Sequence, residues 1–504
     1  MKIAIAVILM SLCAALVIFP IFTSAQAQKA SSSLATVKWD KPYTLPFKGG
    51  YPRMTTIGGG ELIMVFEGSR ELKCSTSVDG KVWSAPTVAV SYKNTNYSPA
   101  NPTPYYDEVT GIIYLAYRCP ITYDSSYEAN IAYVTSSDNG KTWSEPFIVA
   151  TSVVSSQSSF GGMWEPTVYR TDGKLRVYYS CDTVYERQGQ ITINRNTPNE
   201  KTDDTFPFVS SKKFQNIVMH EFDESTLAWS GGVGVYKGED HLPYEPSGTK
   251  YHCRDGMQSI ARLSDGSYVM AVETSKYNVA DNYRKTRYPM VIDISFSLDG
   301  VSFTAPITVA KPPKENYKCA APWVEVLSDG RIAISFQTDD YLTKLPSSSD
   351  KSETGQLKVI ISKNPITYED AATLKASDFE AFYPFDIYNS SVTYNYWNSI
   401  HFSAGKLYAI GNVSTNNSAL TPARGTLLAV FDLEAAKKSM TDTAPNDSDN
   451  DSNLNTNSPD SETQAYDSKG QNYMSAILPL SIGVPILAIA AVALIIIFKR
   501  RASD

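Results

Sequence analysis

The chain is poor in the residues that most metal and nucleic-acid chemistry relies on. Only four histidines occur in 504 residues, at positions 220, 241, 252 and 401, and none has ligand spacing. Cysteine is nearly as scarce, and the spacing of Cys74, Cys119, Cys181, Cys253 and Cys319 fits no zinc motif. A sixth, Cys13, lies in the apolar N-terminal run; the remaining five are an odd number, so at least one is unpaired within the chain. Basic residues do not dominate. Forty-five Lys and Arg against 52 Asp and Glu leave a net charge of −7, which gives no footprint for nucleic acid and no pull toward anionic lipid. No run of acidic ligands argues for calcium, and no cofactor is expected. Aromatic residues, by contrast, make up 12% of the chain, with 32 tyrosines.

The two ends carry addresses. Lys2 precedes an apolar run, Ile3 to Phe22, and an Ala25-Gln-Ala27 site, the parts of a secretory signal peptide cleaved after Ala27. An uncleaved N-terminal anchor is the alternative, because the run is long. A second apolar run, Ser475 to Phe498, carries no charge and is long enough to cross a ~30 Å hydrocarbon layer as a helix. Lys499, Arg500 and Arg501 follow at once, which predicts a type I orientation with a short cytoplasmic tail and argues against a lipid-anchor signal. Asp442 to Asn472 is rich in Asp, Ser, Asn and Thr and cannot bury a core. The sequence thus divides into a signal peptide (1–27), a β domain (28–438), a disordered stalk (439–473), a transmembrane helix (474–498) and a tail (499–504). Glycosylation sequons stand at Asn96, Asn389, Asn412, Asn416, Asn446 and Asn450.

Between these ends one pattern recurs six times: an alternating strand, a tight glycine turn, and a second strand. The stretches are Tyr51–Glu67, Pro102–Arg118, Trp164–Ser180, Gly256–Glu273, Pro322–Gln337 and Trp397–Asn412. Asp172-Gly173, Asp265-Gly266 and Asp329-Gly330 are strong hairpin turns. Uneven spacing between units predicts four-stranded sheets with variable loops, the composition of a six-bladed β-propeller rather than a sandwich. Several hairpins are followed by a second signature. Ser136-Ser-Asp138-Asn-Gly140-Lys-Thr-Trp143 fits the Asp-box S-x-D-x-G-x-T-W in full, and shortened forms run Ser77 to Trp83 and Ser297 to Phe303. A more decayed form ends at Trp229. The Asp side chain is suited to bind turn amides and the ring to pack between strands, so these boxes are structural.

Asp-boxes in a six-fold pattern resemble the sialidase superfamily. The phrases Tyr51-Pro-Arg53, Trp164-Glu165-Pro166, Gly256-Met257, Val272-Glu273 and Ser335-Phe-Gln-Thr338 are similar to family 93 of the glycoside hydrolases, the exo-arabinanases, over residues 40–435. The resemblance implies an all-β, six-bladed sialidase-like propeller, here an ectodomain followed by a single-pass helix. It also implies a retaining glycoside hydrolase whose catalytic glutamates match Glu165 and Glu273.

Topology points to the same place. In a propeller the starts of the innermost strands and the ends of the second strands surround one mouth. Reading starts gives Arg53, Asn101, Glu165 with Trp164, Asp255 with Arg254, Trp323, and Trp397 with Asn398. Reading ends gives Glu67, Arg118, Asp182, Glu273, Gln337 with Asp339, and Asn412. Acids, guanidinium groups and indoles together suit a sugar: acids for chemistry, polar groups for hydroxyls, flat rings for stacking. Glycoside cleavage uses two carboxylates, ~5–5.5 Å apart in retaining and ~6.5–9.5 Å in inverting enzymes. Glu165 and Glu273, on adjacent blades, form that pair, and the sequence leaves open which is nucleophile and which acid/base. Arg53, Asn101, Arg118, Trp164, Asp182, Arg254, Asp255, Trp323, Gln337 and Trp397 are the candidate substrate-binding residues. Ion pairing with Arg118 or Arg254 is the purely structural alternative for either glutamate. A glycan on Asn412 would obstruct such a mouth.

Two other functions remain compatible with the sequence. A sialidase needs three arginines, and Arg118, Arg254, Arg284, Arg287 and Arg331 give no ordered triad beside Arg53, while Arg170 and Arg262 fall near the far-side turns. A carbohydrate-binding adhesin would use the same ring without turnover. The partner expected in every case is a glycan, at the cell surface. Expressed whole, the chain should fractionate with membranes and begin at Gln28; a chain stopped after Lys438 should appear in the medium. Edman sequencing and fractionation check both, and a whole chain found in the soluble fraction would contradict the anchor.

Overall fold

The computed structural model describes residues 38–92, 99–122, 127–154, 162–181, 184–187, 190–193, 213–236, 251–278, 290–312, 318–340, 355–385, 393–415 and 424–436. The chain divides into two compact units, Met1–Ala444 and Pro445–Asp504, and every described residue belongs to the first. Among the described residues no helix is long and apolar enough to cross a membrane; the expected signal peptide, stalk and span lie outside them.

The first unit is an all-β, six-bladed propeller. Blade 1 holds Gly50–Thr56, Leu62–Glu67, Glu71–Ser77 and Thr87–Ser91; blade 2 holds Ala100–Asp107, Ile112–Arg118, Tyr127–Ser136 and Phe147–Val154. Blade 3 runs Met163–Thr171, Lys174–Cys181, Lys213–Asp223 and Val233–Tyr236; blade 4 runs Tyr251–Arg262, Tyr268–Asn278, Val291–Ser297 and Ile307–Ala310. Blade 5 comprises Cys319–Val326, Ile332–Thr338, Gln356–Ser362 and Phe379–Phe382. Blade 6 has Thr393–Ser403, Lys406–Thr415 and Arg424–Asp432, and the N-terminal strand Tyr43–Thr44 completes it, pairing Tyr43 with Leu428. The ring is therefore closed by hydrogen bonds between its two ends, which removes the open edge that a sheet would otherwise present. All six expected hairpins form, and Gly111, Gly173, Gly266, Gly330 and Gly405 sit in their turns with φ between 70° and 90°.

Blades adhere through apolar side chains that interdigitate between neighbouring sheets. Met54, Met64 and Phe66 of blade 1 bury against Tyr408, Ile410 and Leu428 of blade 6, and equivalent clusters fill the other gaps. Each such side chain contributes ~1.5–3 kcal/mol when fully buried. Cys74, Cys119, Cys181 and Cys319 are buried within these layers.

The Asp-boxes lock the outer hairpins. Asp138 accepts from the backbone N–H groups of Lys141 (3.1 Å) and Thr142 (2.9 Å), Ser136 Oγ accepts from Gly140 N–H (2.9 Å), and Trp143 Nε1 donates to Gly140 O (3.2 Å). The Thr142 hydroxyl, which donates to Asp138 Oδ2 (2.6 Å), and the backbone amide of Thr142 hold the Asp138 carboxyl down at about 2, below its ordinary range. Asp79 and Asp299 repeat the arrangement. The decayed box of blade 3 lacks the opening serine but keeps the closing clamp: Ser230 N–H donates to Glu221 O (2.8 Å) and Glu221 N–H to Ser230 Oγ (2.9 Å), as Ser144 does with Thr135 in blade 2.

The glycine of each full or shortened box touches the preceding blade. A Cβ on Gly80 would stand 2.6 Å from the Tyr408 ring and one on Gly140 2.7 Å from Ile63 Cδ1, while one on Gly300 would collide with Thr171. Gly140 also has φ +81°, whereas Gly173 shares the left-handed backbone (φ +72°) with open space around it. Ala at Gly173 should therefore cost only the backbone term, ~1–2 kcal/mol. Ala at Gly140 should cost ~1–3 kcal/mol more through overpacking. Thermal or denaturant unfolding of the two variants checks this, and equal losses would contradict the packing role.

Candidate functional site

The site grows from one irregularity repeated in every blade. In each innermost strand a single residue adopts positive φ: Tyr51 (50°), Asn101 (52°), Glu165 (51°), Met257 (52°), Ala321 (55°) and Trp397 (51°). At each the register against the second strand slips. Gly50 faces Glu67 but Arg53 faces Val65; Gly256 faces Glu273 but Ser259 faces Ala271; the other four blades do the same. Three residues on the inner strand thus span two on its partner, a one-residue β-bulge. Proline follows the bulge in four blades (Pro52, Pro102, Pro166, Pro322), where a residue without an N–H leaves no donor stranded by the broken ladder.

The residue before each bulge lies opposite Glu67, Arg118, Ser180, Glu273, Gln337 or Asn412. Two rings result, one of bulge residues and one of second-strand residues, and side chains of the second ring reach across to the next blade. Glu67 Oε1 accepts from Asn101 N–H (2.7 Å), Ser180 Oγ from Met257 N–H (3.2 Å), and Glu273 Oε2 from Ala321 N–H (2.8 Å). Tyr51, Met257 and Ala321, from blades 1, 4 and 5, pack into a small buried apolar cluster.

Glu165 and Glu273 reach the neighbouring bulges of blades 4 and 5. Glu165, 6% exposed, accepts at Oε2 from Ser180 Oγ–H (3.1 Å) and Met257 N–H (3.3 Å). Met257 directly follows Gly256, the cross-strand partner of Glu273, which is 2% exposed. Trp397 is the most exposed bulge residue, at 39%, and its ring lies 5.8 Å from Tyr51. Arg118 lies flat on Trp164, its guanidinium carbon 3.7 Å from the ring centroid. Burial raises the Tyr51 hydroxyl pKa; Arg53 opposes this, and the charges of Glu165 and Glu67 add to it.

Of the positions expected at strand starts, Asn101, Glu165 and Trp397 occupy the bulge ring. Arg53, Asp255 and Trp323 do not: each lies two residues from the bulge, because the starts were counted along an unbroken strand. Arg53 is fully buried, bonded to Pro52 O (2.9 Å) and Trp397 O (2.7 Å), so it braces blade 6 against blade 1. Burial lowers its pKa. Asp255 is fully buried and accepts from Thr274. Trp323 donates to Glu325 (3.1 Å) and lines a separate cavity of about 680 Å³ with Tyr105, Tyr169, Arg170, Arg262 and Tyr268 at the hairpin-turn end of the axis. Arg170 is held there by Asp107 (2.7 Å).

Among the second-strand positions Arg118, Glu273 and Gln337 fall on the ring as expected, Gln337 packed against Gly355. In blade 3 the ring residue is Ser180, two places before Asp182, which lies outside the described residues, as does the Arg254 side chain. Asn412 accepts from Thr426 Oγ1 (2.9 Å), its partner on the neighbouring strand. Tyr51, Met257, Ala321 and Ser180 were missed; the recurring residue-Pro step after the bulge was the signal that marks the first and third. Among the described residues no group of His, Cys, Asp and Glu could hold a metal ion.

Comparison with known proteins agrees with this architecture. No curated protein matches the chain. Among solved structures, an α-L-arabinofuranosidase of Fusarium graminearum bound to an iminosugar inhibitor superposes with a TM-score of 0.50 at 16% identity, covering 80% of this chain and 98% of that one. An α-L-arabinanase of Penicillium chrysogenum complexed with arabinobiose gives 0.48 at 16%, covering 79% and 97%. The NanB sialidase of Streptococcus pneumoniae gives 0.45 at 11%, covering 78% and 70%. At such identities the first likeness speaks for the fold alone. The BNR repeat-like domain matches residues 65–334, more than half of the 504, and the chain belongs to that family.

Proposed function

We propose that the chain is a cell-surface, exo-acting glycoside hydrolase of the retaining kind, with Glu165 and Glu273 as its carboxylate pair and an arabinan as substrate. The carrying observation is that two buried glutamates from adjacent blades reach neighbouring bulges: Glu165 accepts the amide of Met257 in blade 4 and Glu273 that of Ala321 in blade 5, and Met257 and Ala321 belong to one buried cluster. A retaining mechanism needs the two carboxyl groups ~5–5.5 Å apart.

Two donors converge on Glu165 Oε2 and suit a carboxylate anion, while Glu273 Oε2 accepts the Ala321 amide; on that difference we assign Glu165 the nucleophile's part. It attacks the anomeric carbon as the glycosidic C–O bond breaks, and Glu273 gives its proton to the departing oxygen. Water then attacks the glycosyl–Glu165 ester, Glu273 takes back a proton, and the sugar leaves with its configuration retained. Trp397, exposed beside Tyr51, supplies a flat face for a sugar ring. The sialidase reading loses support, because among the described ring positions only Arg118 is an arginine. The signal peptide and C-terminal helix read from the sequence would put this mouth outside the cell.

Purified ectodomain, residues 28–438, should release arabinobiose from linear arabinan, and Glu165→Gln and Glu273→Gln should each lower kcat by a factor of ~10² or more. On an aryl arabinoside with a good leaving group, a Glu273 variant should recover most of its first step while a Glu165 variant stays inactive. Release of sialic acid that survives both substitutions would overturn the proposal.

A further inference from the structure

We infer that Glu67 and Asn101, at the boundary of blades 1 and 2, form a hydroxyl-binding subsite for a neutral sugar, separate from the glutamate pair. The inference rests on the mouth proposed above but not on turnover there. Glu67 holds in blade 1 the register position that Glu273 holds in blade 4. One of its oxygens, Oε1, is taken by the Asn101 amide (2.7 Å). Oε2 has no hydrogen-bonding partner among the described residues and lies over Gly50, where an added Cβ would stand 2.7 Å from it.

Asn101 presents the complementary observation. It sits on the bulge ring, is 9% exposed, and its Oδ1 is a buried acceptor with no partner among the described residues. A buried polar atom left unpaired is unfavourable, and a ligand hydroxyl would satisfy it. The left-handed backbone at Asn101 follows from the bulge, so this oxygen is directed by the fold rather than by a loose loop.

Glu67 supplies the second contact. Its burial favours the neutral acid, against the Asn101 amide and the charges of Arg53 and Arg118. Tyr51, the other titratable group coupled to it, has its own hydroxyl pKa raised. A neutral carboxyl donates one hydrogen bond and accepts another. With Oε1 taken by the Asn101 amide, the acid form leaves one donor at Glu67 Oε2 beside one acceptor at Asn101 Oδ1, the pattern that adjacent hydroxyls of a furanose or pyranose match.

Calorimetric titration of arabinobiose into the full ectodomain tests this. Asn101→Gly, which keeps the positive-φ backbone, and Glu67→Ala should each weaken binding at least tenfold. Glu67→Gln, which retains a donor and an acceptor, should stay within threefold. Wild-type binding should weaken as pH rises through the Glu67 titration, and that dependence should vanish in Glu67→Gln. Melting curves confirm that each variant is folded. Unchanged binding in Asn101→Gly and Glu67→Ala, or no binding of arabinobiose by any form, would overturn the subsite. Subsite-dependent binding without sugar release would uphold it and defeat the hydrolase reading instead.

Discussion

Six bulge residues hold positive φ although none of them is glycine, and everything at the mouth depends on that constraint. A left-handed backbone costs an L-residue ~1–2 kcal/mol, and Tyr, Glu, Met, Ala and Trp accept it here along with the better-suited Asn101. Glycine would relieve that strain but leave the ring without side chains. The bulge turns one backbone N–H out of each inner ladder. In three blades that N–H is taken by a second-strand side chain of the preceding blade, which ties the blades together at the mouth through Glu67, Ser180 and Glu273. Strain held at a site by surrounding structure is a recurring property of functional positions.

The opposite end of the molecule makes that strain tolerable. Asp-box glycines press against Tyr408, Ile63 and Thr171 of the preceding blades, and the boxes' aromatic rings enter the same gaps. Closure of blade 6 by Tyr43–Thr44 finishes the ring. The Asp-box polar groups therefore collect at the turn end and the bulge side chains at the mouth.

Much of this was legible in the sequence. Glycine turns, period-two alternation and Asp-boxes report local geometry directly, so the hairpins, the blade number and even the decayed box ending at Trp229 could be read. The second-strand ring was read at every blade but the third, because those strands are regular. First-strand positions were read at Asn101, Glu165 and Trp397 and missed at Arg53, Asp255 and Trp323, because one extra residue in a bulge reverses the side-chain alternation that the reading relied on. Ring closure was invisible, since Tyr43–Thr44 is too short to signal a strand and its partner lies almost 400 residues away.

The most direct test of the account is a crystal structure of the Glu165→Gln ectodomain soaked with arabinobiose. The account predicts sugar at the bulge end, with the side chains of positions 165 and 273 ~5–5.5 Å apart across the glycosidic oxygen. Sugar bound instead in the cavity lined by Tyr169 and Arg262, or side chains more than ~9.5 Å apart, would contradict it.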